Sequence, residues 1–91
     1  MDSWSEGTAL IMTITALLFA SYADVIGRTT VDLSLPVGAT VADALSAIRA
    51  LPGGDRLPPR PFLAVNLAYA RGEQVLRPGD ELAVIPPAAG G

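Results

Sequence analysis

An α+β fold, with one helix packed across a small sheet, follows from three features of the 91-residue sequence. Thr30 to Leu35 alternate strictly, Val31, Leu33 and Leu35 facing one way and Thr30, Asp32 and Ser34 the other, as a half-buried strand does. Val41, Ala44, Leu45, Ile48 and Leu51 recur at steps of three and four, which lays them along one helical face. Glu81 to Ile85 alternate again, Leu82 and Val84 against Ala83 and Ile85, until Pro86-Pro87 ends the run because neither proline can donate to a ladder.

The elements follow in chain order. Residues 1–11 show no period and read as an extension before a domain spanning 12–85, with 86–91 as a tail. Thr13 to Ala20 is the first strand; Thr13-Ile14-Thr15-Ala16 alternates, and Leu17-Leu18-Phe19 is apolar on both faces, as suits a central strand. Ser21 to Arg28, with Gly27, is read as a connection short enough to make the first two strands an antiparallel hairpin. Thr40 is a good N-cap, and Asp43 three residues on completes a box-like helix start near the positive helix end. Pro52-Gly53-Gly54 stops the helix, and a Pro- and Gly-rich loop, with a PxxP pattern in Pro58-Pro59-Arg60-Pro61 read as a stiff connector, leads to a short strand at Phe62 to Val65. Asn66 to Ala70 reads as a turn and a further short strand bearing Tyr69. Arg77-Pro78-Gly79-Asp80 places Pro and Gly where a type II turn prefers them.

Composition removes most enzyme classes. Cys and His are both absent, so thiolate metal sites, imidazole ligands and the usual general base near neutral pH are missing, and no metal site is expected. The six basic residues are all Arg; against nine acids they leave a net charge of −3, with no basic run to meet a nucleic-acid backbone. Gly7 to Ala23 carry no charge, but they fall short of the ~20 apolar residues of a spanning helix. The acids Asp2 and Glu6 stand where a signal peptide needs positive charge, so a cytoplasmic protein without a membrane role is expected. A carrier, a binding module or a subunit of something larger remains.

The last residues sharpen that choice. Glycines carry no side chain, so Gly90-Gly91 could enter a narrow channel and let an activating site approach the final carboxylate. Pro86-Pro87 favour an extended polyproline conformation, and the six residues from Pro86 to Gly91 reach ~20 Å at full stretch.

Leu18-Phe19-Ala20 followed by Gly27, Ala64-Val65-Asn66, Pro78-Gly79-Asp80-Glu81-Leu82 and the Pro-Pro-x-x-Gly-Gly ending together resemble the ubiquitin-like sulfur carriers of the MoaD/ThiS family. Within it they are most similar to the small, sulfur-carrying subunits of molybdopterin synthase, from about Thr13 to Gly91. The resemblance implies a ubiquitin-like β-grasp fold with the first and last strands parallel at its centre. It implies that a ubiquitin-activating-like adenylyltransferase uses ATP and Mg²⁺ to convert Gly91 to an acyl-adenylate, and that a sulfur donor then displaces AMP to leave a thiocarboxylate. No permanently bound cofactor is implied. The acceptor would be the large synthase subunit, in a heterotetramer of two small and two large chains, where sulfur passes to cyclic pyranopterin monophosphate. The general acids and bases would sit on that partner. Family members commonly carry a basic residue in the loop after the first strand, where this chain has Ala23 before Asp24.

A partner surface is expected on the sheet face away from the helix. The alternation puts Leu17 and Phe19 of the first strand, and Ala83 and Ile85 of the last, on that face, and in the family pattern Tyr69 matches a third apolar position beside them. The alternative is that the chain's own loops cover Leu17 and Phe19. Two rival functions stay open: a sulfur carrier for thiamine thiazole or another thiolated product, and a β-grasp interaction module without thiol chemistry. The Pro-Pro pair and the chain length favour molybdopterin over thiazole, and the Gly-Gly ending weighs against the module.

Overall fold

The computed structural model describes residues 10–57 and 61–86. The PxxP connector (residues 58–60), most of the expected N-terminal extension (residues 1–9) and the tail from Pro87 onward lie outside them.

Strand β1 (Ile11–Leu18) runs antiparallel to β2 (Thr30–Pro36). It starts two residues earlier than the alternation suggested: Ile11 pairs with Pro36, and the Leu10 carbonyl accepts a bond from the Val37 amide at 2.9 Å. It also ends earlier, because the chain turns away at Phe19-Ala20. The stretch expected to be a bare connection is mostly helical, as α1 (Ser21–Ile26). Burial of Tyr22 at 0% exposure holds α1 against the core, and Gly27, in the left-handed region at φ 86°, closes it by donating to the Ala23 carbonyl.

Helix α2 (Val41–Arg49) begins as its sequence dictates. The Asp43 amide donates to the Thr40 hydroxyl at 3.2 Å while the Thr40 amide donates to the Asp43 carboxylate at 2.9 Å. A 3₁₀ turn (Gly54–Arg56) leads towards β3 (Phe62–Val65), β4 (Ala68–Tyr69) and β5 (Glu81–Ile85). The five strands lie in the order β2-β1-β5-β3-β4. β1 and β5 are parallel neighbours at the centre, and β5 is antiparallel to β3 on its other side. This is the arrangement expected of a β-grasp.

One sheet face is closed by α2. Ile14 and Ala16 of β1, Leu82 and Val84 of β5, and Val41 and Ile48 of α2 are each 0% exposed and share one core. The buried residues of β1 and β2 alternate with exposed or half-buried ones, so register alone decides what remains on the opposite face.

Candidate functional site

The face opposite α2 is divided by chemistry. One register row crosses four strands as Leu17, Ala83, Ala64 and Tyr69. The two alanines in its middle have little side chain, so they form a floor. Leu17 and Phe19 flank it on the β1 side and Leu67 and Tyr69 on the β4 side, with Ile85 also lining the resulting trough of about 270 Å³. Phe62 pairs with Ile85 and sets its ring 6.3 Å from that of Tyr69 at a tilt of 59°. The row Asp32, Thr15 and Glu81 is polar instead, with the Thr15 hydroxyl donating to Asp32 at 3.3 Å. The apolar half therefore lies where β5 ends and hands the chain to Pro86.

Two turns border the trough, and both are strained. Asn66 and Leu67, between β3 and β4, have φ of 51° and 74°, as a two-residue type I′ hairpin requires. Ala20, after Phe19, has φ 50° and ψ −123°, and the Tyr22 amide donates back to the Phe19 carbonyl at 3.0 Å, which is type II′ geometry. These three are the non-glycine residues with positive φ among the described residues. The first turn is clamped: the Asn66 side chain accepts from the Glu81 amide at 3.0 Å and donates to Asp80 at 2.9 Å, while Asp80 accepts from the Arg77 amide at 2.8 Å. Gly79, at φ 82°, takes the left-handed place of the Arg77–Asp80 turn.

The four residues expected to form a partner surface, Leu17, Phe19, Tyr69 and Ile85, are thus brought together on one face. The chain's own loops leave Phe19 46% and Tyr69 82% exposed. Pro86 stands at the root of the tail; Pro87, Gly90 and Gly91 lie outside the described residues. Sequence reasoning missed Phe62 and Leu67. Phe62-Leu63-Ala64-Val65 is apolar on both faces, so alternation could not say which way Phe62 points, although its pairing with Ile85 could have. A leucine after Asn66, where hairpins prefer glycine, was the available signal for the other. Ala23 and Asp24, which stand where a basic residue is common, lie within α1. Among the described residues no group of three or more His, Cys, Asp or Glu could hold a metal, and no helix is long and apolar enough to cross a membrane. Burial raises the Tyr22 phenol above its ordinary range, an effect that Arg49 partly offsets, and this group sits in the core rather than in the trough.

A family model for the ThiS family matches residues 16–91. The chain belongs to the ThiS family. It is thereby one of the ubiquitin-like sulfur carriers. Among solved structures, this ThiS-family chain is similar to SAMP1, a small archaeal modifier protein from Haloferax volcanii, at 32% identity over 87% of this chain and 99% of that one, with a TM-score of 0.76. Its fold is also that of a putative molybdopterin converting factor subunit 1 from Pyrococcus furiosus, at 23% identity, covering 85% of this chain and 99% of that one, with a TM-score of 0.75. The complex of subunits 1 and 2 of the molybdopterin-converting factor from Helicobacter pylori contains a chain 16% identical, matched over 88% of this chain and 100% of its own length, with a TM-score of 0.65. The ubiquitin-like β-grasp fold expected from the sequence is the fold of this ThiS-family chain.

Proposed function

We propose that this chain is the sulfur-carrying subunit of a molybdopterin synthase and works through the carboxyl end of Gly91. The observation that carries the reading is that β5 ends beside an apolar trough and passes directly into Pro86-Pro87-Ala88-Ala89-Gly90-Gly91. A carboxylate is a poor acyl donor, so an adenylyltransferase related to the ubiquitin-activating enzymes first joins Gly91 to AMP, releasing pyrophosphate from ATP with Mg²⁺. A sulfide-level nucleophile then forms a C–S bond as the bond to AMP breaks, leaving a thiocarboxylate. The large synthase subunit covers the trough, admits the glycine tail and passes sulfur to cyclic pyranopterin monophosphate. The sulfur forms its new C–S bond on the substrate, and water adds to the Gly91 carbonyl carbon as the old C–S bond breaks, so Gly91 returns to a carboxylate. Two small and two large chains make the working assembly. The chain provides the sulfur and a docking face, while proton transfers fall to side chains of the partner. An ATP-consuming route of this kind belongs in the cytoplasm.

Intact-mass measurement after incubation with ATP, the activating enzyme and a sulfur donor tests the reading, and one oxygen should be replaced by sulfur. Deleting Gly91, or adding one residue after it, should abolish the exchange while the melting temperature stays put. Product formation by the extended chain would overturn the proposal. Co-purification with a thiazole synthase instead of a large synthase subunit would move the same chemistry to thiamine thiazole. The similarity to SAMP1 favours a second reading, in which the activated tail is joined to an amine of another protein. Adducts on other chains, in place of the thiocarboxylate, would identify that reading.

A further inference from the structure

Leu67 is placed where the fold gains nothing from it. The second position of a type I′ turn asks for glycine, because a side chain in the left-handed region crowds its own backbone. Asn66, at the first position, is among the few residues at ease there. Leu67 holds φ 74° nonetheless, and its side chain is 93% exposed, so no burial within this chain offsets the strain. Strain of this kind gathers at sites where it serves a use beyond folding. The same side chain lines the trough opposite Leu17 and Phe19, on the side of Tyr69.

We propose that Leu67 is a specificity-determining anchor, an aliphatic knob that enters an apolar pocket on the large, sulfur-accepting subunit. This rests on the docking face proposed above and adds to it a residue outside the strands. Whatever takes the tail must pass the trough, since Ile85, the last residue of β5 before the tail, lines it. Phe19, Phe62, Leu67 and Tyr69 expose apolar surface on a small domain, and surface of this kind marks a protein–protein contact. The occupant is the subunit that accepts the sulfur, which covers this face while the tail that leaves β5 beside it is engaged and releases the carrier once Gly91 is a carboxylate again. A second copy is the poorer occupant, because each chain carries a net charge of −3.

Leu67→Gly separates the two roles, since relieving the turn and removing the knob move opposite readouts. The melting temperature should rise by about 4 °C or more. Affinity for the large subunit, measured by titration calorimetry, should fall about thirty-fold, the size of a central anchor. Leu67→Met, which keeps an apolar knob, should hold affinity within about three-fold of wild type. Wild-type affinity in Leu67→Gly would overturn the proposal. So would a wild-type dimer in sedimentation that Leu67→Gly dissolves, because the knob would then serve self-association. If the wild-type chain does not bind the large subunit at all, the docking reading itself fails.

Discussion

Gly54 shows how closely backbone meets backbone at the end of α2. A Cβ added there would lie 2.4 Å from the Ile48 carbonyl oxygen and 2.5 Å from that of Arg49, and neither can move without unwinding the helix. Gly54→Ala should therefore destabilise the chain by about 1–3 kcal/mol, visible as a lower denaturant midpoint. Ala20 should respond in the opposite direction: at φ 50° and ψ −123° glycine relieves strain, so Ala20→Gly should raise the melting temperature by several degrees. Tyr22 sets an alkaline limit. Burial favours its neutral phenol, so the folded-state pKa lies above the unfolded value of 10.0. The resulting stability is complete below that value and is lost as pH rises through the folded one. Melting temperatures followed above pH 10 should fall in wild type and fall less steeply in Tyr22→Phe. None of these three environments is written locally. Pro52-Gly53-Gly54 reads as a helix stop, but the contact that forbids a side chain at Gly54 exists only once the chain folds back.

Helix α2 was legible because its start is spelled out in side chains. Its first amides are also met from outside, since Val41 donates to the Gln74 carbonyl and Ala42 to that of Gly72, both at 2.9 Å. Thr40→Ala removes the cap while leaving those two bonds, and the loss should be about 1 kcal/mol by chemical denaturation. β2 and β5 were legible for a related reason, each having one face in the core and one outside it. α1 was not. It is six residues long, has no side-chain cap and buries Tyr22 alone, too little for a helical period to emerge. The site divides the same way: Leu17, Phe19 and Ile85 could be placed because parity along β1 and β5 is unambiguous. The uniformly apolar Phe62–Val65 strand hid its own orientation. Leu67 belongs to a turn, where no period applies. At the amino end, a chain beginning at Met12 loses the Ile11–Pro36 pairing and the Leu10–Val37 bond, so it should melt slightly below one beginning at Leu10.

The molecule as a whole is two-sided: α2 and the core occupy one face of the sheet, and the trough, with Ile85 at the end of β5, lies on the other. Phe19→Ala or Ile85→Glu should weaken binding of a large synthase subunit by about 2 kcal/mol or more without lowering helix content, as calorimetry and circular dichroism would show. The placement of β5 has a mechanical consequence. Tension applied at Pro86 enters a strand bonded along both edges, to Thr15–Leu18 on one side and to Phe62–Val65 on the other. Because the pull runs along the strand, the bonds of both ladders share the load in shear instead of parting one after another. A partner that held the tail could thus draw on it without unravelling the body of the domain.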